Sequence, residues 1–535
     1  MKKYFFYTVA ILFAMPVAAQ ETYENAPLAQ EDLNGTARYV GMGGAMEALG
    51  ADISTIGSNP AGIGLFRRSY ISGSFGLVNQ PEVSSFKNGN KTNVSFDQAG
   101  FVYALRTGRS SFINFGFNYH KSKNFNSILS AVGRLNGASQ NKLSYLKGQE
   151  GVYGKDGVYY DKDNGAWISN SNAFSEVDYL YYNILLHQAS ENSDGTTSDK
   201  FFYNDANGYR FNRANTGYIG EYDFNISGNS NDRFYWGLTF GIHDVHYKGE
   251  STYTESLIDA SGTGIGDVIL DDNRKITGTG FDVKAGIIFR PVETSPFRIG
   301  LYVHTPTWYD LTTSNYTTLN NNSSVGEFDN GHIGESYDFH FYTPWKFGVS
   351  LGHTVGNYLA LGATYEYADY SACDMRINDG GYYDYDGYYE TTSRDTEMKD
   401  HIERTLKGVS TLKLGAEFKV APGFAVRLGY NYVSPMYNKD GYKDGTLNSP
   451  GSYYSSSTDY TNWKTTNRIT AGFGYSVNHW SFDAAYQYSQ TDGDFYPFMS
   501  YVAGSDEDAA LDNIPDAVKV SNKRHQLLFT IGYRF

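Results

Sequence analysis

The sequence predicts a transmembrane antiparallel β-barrel of about 14 strands with a small N-terminal hatch inside its lumen. Three observations carry the barrel. Apolar and polar residues alternate in segments long enough to cross a bilayer, the connections between those segments alternate between short and long, and an aromatic-rich chain lacks any spanning helix.

The chain opens with Lys2-Lys3, an apolar run from Tyr4 to Val17, and the small residues Val17-Ala18-Ala19 before Gln20. A basic start, an apolar core and small residues at a cleavage position describe a secretory signal peptide, expected to span residues 1–19. The run falls short of the about 18 to 20 apolar residues that a spanning helix needs. No cysteine follows the cleavage position, which excludes a lipoprotein. The mean hydropathy is -0.47, a value usual for soluble proteins, yet the chain holds 48 Tyr, 34 Phe and 58 Gly with only 13 Pro. A barrel reconciles these facts, because only alternate strand residues face lipid while aromatics gather at the interfaces. The lone Cys373 excludes an intramolecular disulfide and a multi-cysteine metal site. A net charge of -15 argues against a nucleic-acid partner, whose phosphates need a basic surface.

Alternation is clearest in 112–120, where Ile113, Phe115, Phe117 and Tyr119 oppose Asn114, Gly116, Asn118 and His120. In 424–432, Phe424, Val426, Leu428, Tyr430 and Tyr432 oppose Ala425, Arg427, Gly429 and Asn431. A lipid-facing arginine at the bilayer midplane costs about 2 to 4 kcal/mol, so Arg427 is expected to point into the lumen. A one-residue slip would invert the whole set. Strands are expected near 69–77, 97–106, 112–121, 216–226, 234–247, 276–289, 297–309, 343–353, 358–370, 412–420, 424–433, 465–477, 479–489 and 523–535. Short connections such as 107–111, 354–357 and 421–423 alternate with long ones such as 78–96, 122–215, 248–275 and 371–411. Short periplasmic turns and long external loops follow that rule in outer-membrane barrels. The long stretch 122–215 is expected to carry structure of its own, with helix around 178–190. At the end of the chain, Leu527, Phe529, Ile531, Tyr533 and Phe535 form one face. A last strand ending in an aromatic resembles the signal read by the barrel-assembly machinery.

Between the signal peptide and the first strand, residues 20–68 do not alternate, and the barrel is expected over 69–535. Their centre is rich in Gly and Ala, residues that let backbones approach closely, as a plug inside a barrel requires. The stretch Ala37-Arg38-Tyr39-Val40-Gly41-Met42-Gly43-Gly44-Ala45 is followed by Ala51-Asp52 and by Asn59-Pro60-Ala61-Gly62 just before the first strand. This arrangement resembles the FadL family of outer-membrane transporters for long-chain fatty acids and related hydrophobic compounds. His304-Thr305-Pro306-Thr307-Trp308 and Thr343-Pro344-Trp345 also resemble recurring features of that family.

The resemblance implies a bacterial outer-membrane protein that takes up a hydrophobic small molecule. External loops would capture it, an apolar pocket would hold it, and a moving hatch would release it sideways through the wall beside the third strand. Asn59, Pro60, Ala61 and Gly62 match the hatch motif, and Gly116 in the third strand is the candidate kink. Outer-membrane lipid and lipopolysaccharide are the expected surroundings. The alternatives are a general porin and a structural or adhesive surface barrel, since Arg427, Arg468 and Glu366 also suit a polar channel. An enzyme is not expected, because the histidines are scattered and none lies in a catalytic motif. No spacing calls for a cofactor or a metal.

Overall fold

A computed structural model describes residues 21–149, 157–163, 165–191, 197–502 and 511–535. The expected signal peptide, residues 1–19, lies outside the described residues. Fourteen strand positions form one antiparallel ring. They are β1 (Tyr70–Asn79), β2 (Thr92–Arg106), β3 (Phe112–Asn124, resumed at Ser127–Arg134), β4 (Asp205–Ser230), β5 (Phe234–Ile258) and β6 (Gly264–Phe289). β7 (Arg298–His304, resumed at Trp308–Asn321), β8 (Asn330–Tyr342, resumed at Lys346–Val355) and β9 (Leu359–Asp369, resumed at Asp374–Asp384) follow. The ring is completed by β10 (Gly387–Arg394, resumed at Gly408–Ala421), β11 (Phe424–Val433), β12 (Tyr460–Val477), β13 (Trp480–Tyr496) and β14 (Val518–Arg534). β14 returns to β1, pairing Arg534 with Tyr70 and His525 with Asn79, so the ring closes. Closure gives each strand two neighbours, which is what lets a sheet cross lipid; the exception is the upper part of β2 and β3, which part beyond Gln98 and His120.

The alternation decides which face is which. In β3, Phe115 is exposed on the outside while Asn114, Gly116 and Asn118 are buried inside. In β11, Val426 and Leu428 face out, and Arg427 turns inward to Glu417 and Asp483, each at 2.6 Å. On β5 the outward series Phe234, Trp236, Leu238, Phe240 and Ile242 is exposed. That length matches the about 9 to 11 residues of a tilted membrane strand. Short turns close the opposite end of the barrel from the long loops; at Asn231, Asp232 and Asn478 they adopt positive φ near 54°, which Asn and Asp tolerate.

Beyond the apolar belt the strands continue. Residues 248–275, expected as a loop, are a paired hairpin, with Lys248 opposite Lys275 and Ile258 opposite Gly264. Above the lipid the outward residues become polar, so the alternation that marks a membrane strand fades although the ladder persists. The inward face there is mixed, with buried Ser251, Glu255, Asp272 and Arg274 among apolar residues; of the latter, Tyr253, Leu257, Val268, Leu270 and Leu319 pack with a cap of loop residues that includes Leu143, Phe174, Tyr181 and Leu185. This cap is formed by much of 122–215, which contains the helices Gln140–Lys147 and Glu176–Tyr181. The second helix runs into a wider turn over Tyr182–Leu186, so the helix expected at 178–190 lies at 176–186. The two proline motifs lie side by side and interrupt β7 and β8, where Thr343 N donates to Thr307 O (3.1 Å) and Thr307 N to Thr343 Oγ1 (2.8 Å). Pro306 and Pro344 have no N–H to give a ladder, and the threonines replace those bonds.

Candidate functional site

The N-terminal segment fills the lumen, lying on a bed of inward glycines. A Cβ at Gly415 would strike Met42 O, one at Gly429 would strike Gly43 N, one at Gly362 would strike Ala45 O, and one at Gly237 would strike Pro60. The wall therefore lacks side chains where the hatch backbone lies against it. Within the hatch, Gly43 and Gly44 turn the chain with φ of 62° and 81°, a conformation that favours glycine. The short helix Ala37–Gly41 is capped by Thr36, whose Oγ1 accepts from Tyr39 N (3.1 Å) and donates to Asp52 (2.8 Å).

Ion pairs fix this segment to the wall. Arg38 meets Glu417 at 2.9 Å, and buried Glu47 meets Lys413 at 2.9 Å while accepting from Thr364 (2.7 Å) and Tyr39 (3.0 Å). Asp32 lies among Lys123 (3.6 Å), Arg468 (3.6 Å) and Arg524 (3.9 Å). Burial pushes the Asp32 carboxyl up, but Lys123, Arg524 and Arg468 outweigh it and hold the group at about 2. Nearer the external end, Tyr23 stacks on Tyr437 (4.9 Å between ring centroids), and Thr22 Oγ1 lies 2.7 Å from His401 Nδ1.

Sequence order brings the hatch to a seam in the wall. β2 and β3 pair only from Gln98 and His120 down to Arg106 and Phe112; above that level β2 pairs with β1 alone, and β3 with β4. Both strands carry a register shift here. On β2 the extra residue is Asp97, which turns inward together with its neighbour Gln98. On β3 the shift falls between Lys121 and Lys123. Bulges bend strands and end pairing, and these two separate the walls. The hatch stitches the seam from inside: Asp32 N donates to Ser122 O (2.7 Å), Asn124 N to Asp32 Oδ2 (3.0 Å), and Asn34 Nδ2 to both Asp97 Oδ1 and Lys121 O (3.1 Å each). Lys121 Nζ also donates across it to Ser95 Oγ (2.9 Å), and Phe96 stacks on Tyr119 at 5.8 Å.

A cavity of about 360 Å³ lies between the hatch and the external cap. Its lining is mixed: Leu28, Val78, Phe125, Tyr247, Met436 and Trp463 share it with Glu31, Asp32, Arg213, Asp272, Arg274, Glu366 and Lys413, beside the seam residues Asn34, Asp97, Lys121 and Lys123, so the expected apolar pocket is instead lined largely by polar and charged groups. The space thus adjoins the only stretch of wall where Asp32 and Asn34 stand in for a neighbouring strand among the described residues.

Asn59, Pro60, Ala61 and Gly62 start the 3-10 turn Pro60–Leu65, with Asn59 as its cap accepting from Ala61 N at 3.2 Å. Asn59 Nδ2 donates to Glu47 O (3.1 Å), and His304 Nε2 lies 2.6 Å from Ser58 O. These residues sit against Gly237, Gly286 and Gly300 of β5, β6 and β7, away from the seam. Gly116 is paired on both sides, with Val102 and with Asn225, and faces Ile56 and Ile63 of the hatch; the break in β3 begins beyond it at Lys121. The seam residues Asn34, Asp97 and Lys121 were not among the sequence candidates. The one local signal is the pair of adjacent polar residues Asp97-Gln98 inside an alternating strand.

No family model matches the sequence, and no curated protein matches it. The structure is similar to a Pseudomonas aeruginosa FadL homologue (12% identity, 95% of this chain and 99% of that chain, TM-score 0.48). It is also similar to the Ralstonia pickettii toluene transporter TbuX (14% identity, 94% and 99% covered, TM-score 0.45). A third solved neighbour is the P. putida toluene transporter TodX (11% identity, 94% and 99% covered, TM-score 0.46).

Proposed function

We propose that this protein is an outer-membrane transporter for hydrophobic compounds, long-chain fatty acids among them. External loops capture the ligand, the cavity above the hatch holds it, and a shift of the hatch releases it sideways between β2 and β3. The observation that carries this reading is the stitching of an unpaired wall seam by Asp32 and Asn34, at the edge of the cavity above the hatch. A plug that merely blocked a pore would have no need to substitute for missing strand pairing. Lateral release also has a physical rationale, since each CH₂ carried through periplasmic water costs about 0.8 kcal/mol. Lipopolysaccharide and lipid surround the apolar belt in this reading, and the barrel-assembly machinery recognises the last strand ending at Phe535.

A general porin needs an open polar channel, whereas here hatch backbone lies directly against Gly415 and Gly429 of the wall. That packing favours the plugged transporter. The hatch role is tested by Asn59→Ala with Pro60→Ala, which removes the turn cap and its rigid first residue, worth about 1 kcal/mol or more. Uptake of radiolabelled oleate by intact cells should fall several-fold. An unchanged initial rate at equal surface expression would show that the motif has no part in transport.

A further inference from the structure

Behind the hatch the wall carries a charge cluster that transport through the seam leaves without a role. Inward positions recur at every second residue, which places Glu221 with Asp223 on β4 and Asp282 with Lys284 on β6. The register then sets Glu221 in one row between His120 of β3 and His243 of β5, and sets Asp223 and Asp282 on either side of Gly241. A Cβ at Gly241 would collide with Asp282 Oδ1, so the glycine leaves the room the cluster needs.

Each carboxylate divides its two oxygens. Glu221 Oε1, Asp223 Oδ1 and Asp282 Oδ1 turn to Lys284 Nζ. The other oxygens turn to imidazoles: Glu221 Oε2 lies 3.5 Å from His120 Nε2 and 3.8 Å from His243 Nδ1, Asp223 Oδ2 lies 3.5 Å from His120 Nδ1, and Asp282 Oδ2 lies 3.3 Å from His243 Nε2. These separations exceed the about 2.7 to 2.9 Å of a charge-assisted hydrogen bond. They approach the spacing of about 3.3 Å between neighbouring ligands of a tetrahedral ion with bonds of about 2.0 to 2.1 Å. Asp223 Oδ2 and His243 Nε2, both on fully enclosed side chains, make no hydrogen bond. With all three carboxylates ionised and both imidazoles neutral, as metal ligands must be, the single ammonium of Lys284 would leave two negative charges in this buried site. One divalent cation balances that charge and takes up the unused donor atoms.

We propose that this cluster binds one divalent transition-metal ion of the zinc class, held by His120, Glu221 and Asp223 and backed by His243 and Asp282. Imidazole with carboxylate suits zinc, nickel or copper, whereas calcium and magnesium favour all-oxygen sites. His120 lines the main cavity and gives the ion its entry, and Gly57 of the hatch covers His120 and Asp223 from the lumen side. No spacing in the sequence announced the site, because its ligands come from separate strands and meet only through the register.

The test uses the full chain purified in detergent, stripped with a chelator and titrated with zinc chloride by calorimetry, with zinc counted after dialysis. Wild type should retain one ion per chain, and calcium chloride should give no comparable binding. His120→Ala and Glu221→Gln should abolish retention, and His243→Gln, a partner behind the ligands, should weaken binding about 10- to 100-fold. Heat-dependent gel migration verifies a folded barrel, and His243→Gln decides the matter if the ligand variants do not fold. Failure of stripped wild type to take up zinc, equal affinity in the variants, or tighter calcium binding would each overturn the site.

Discussion

Asn34 of the hatch donates from Nδ2 to Asp97 Oδ1, and the same nitrogen reaches the carbonyl of Lys121 on the far side of the seam. One side chain thus spans two strands that do not pair with each other at this level. Asn34→Ala removes both bonds and leaves the Lys121 carbonyl without this donor. A buried polar group left unpaired costs about 1 to 3 kcal/mol, which corresponds to local opening about 5- to 150-fold more frequent. Hydrogen–deuterium exchange of the backbone over 121–124 should accelerate by that factor, with the lower barrel unchanged. Equal protection in the variant would mean that Asn34 does not hold the seam.

The glycine bed gives a second expectation. At Gly429 a larger side chain would meet backbone atoms of Met42 and Gly43, which cannot swing aside as a side-chain tip can. Forcing such an overlap costs about 1 to 3 kcal/mol, so Gly429→Leu should populate a displaced hatch about tenfold or more above wild type. The outward neighbours Leu428 and Tyr430 stay in place, and the barrel should still assemble. Single-channel recording in planar bilayers should show frequent openings in the variant and rare ones in wild type.

The Asp32 carboxyl, held at about 2 by Lys123, Arg524 and Arg468 against burial, makes hatch docking depend on acid. Its folded value lies below its ordinary value of 3.8, so the unfolded or undocked state binds the proton more readily. The stabilisation is complete above about pH 4 and is lost as pH falls through about 2. Channel openings should therefore rise between pH 4 and pH 2, and Asp32→Asn should show more openings at neutral pH with a shallower dependence in that window. A wild-type profile as flat as that of Asp32→Asn would remove Asp32 from the docking energetics.

Much of the barrel was legible because lipid imposes a strict rule on alternate residues. The rule ends where the lipid ends. Residues 248–275 kept their strand pairing above the membrane, but outward Lys248 and inward Ser251 are both polar and no longer contrast as Phe240 and Gly241 do. The hatch was legible through its small residues, whose partners are glycines on the wall. The seam was not, because it depends on which strand Asp97 fails to pair with, and a bulge is defined by two chains together. Gly116 illustrates the same limit: a glycine in a strand marks either a kink or a close approach, and here Ile56 and Ile63 approach it.

The central claim is that hydrophobic ligand leaves through the seam between β2 and β3. Its most direct test introduces Ser95→Cys with Lys121→Cys in a Cys373→Ser background, replacing a pair that already bridges the seam at 2.9 Å. A short bis-methanethiosulfonate, which forms a reducible disulfide with each cysteine and expels methanesulfinate, then ties the two edges together, and uptake of radiolabelled oleate and toluene is followed in intact cells. Uptake should fall to background on cross-linking and return on reduction, while either single-cysteine variant treated alike keeps its rate. Undiminished uptake through a quantitatively cross-linked seam would contradict lateral release.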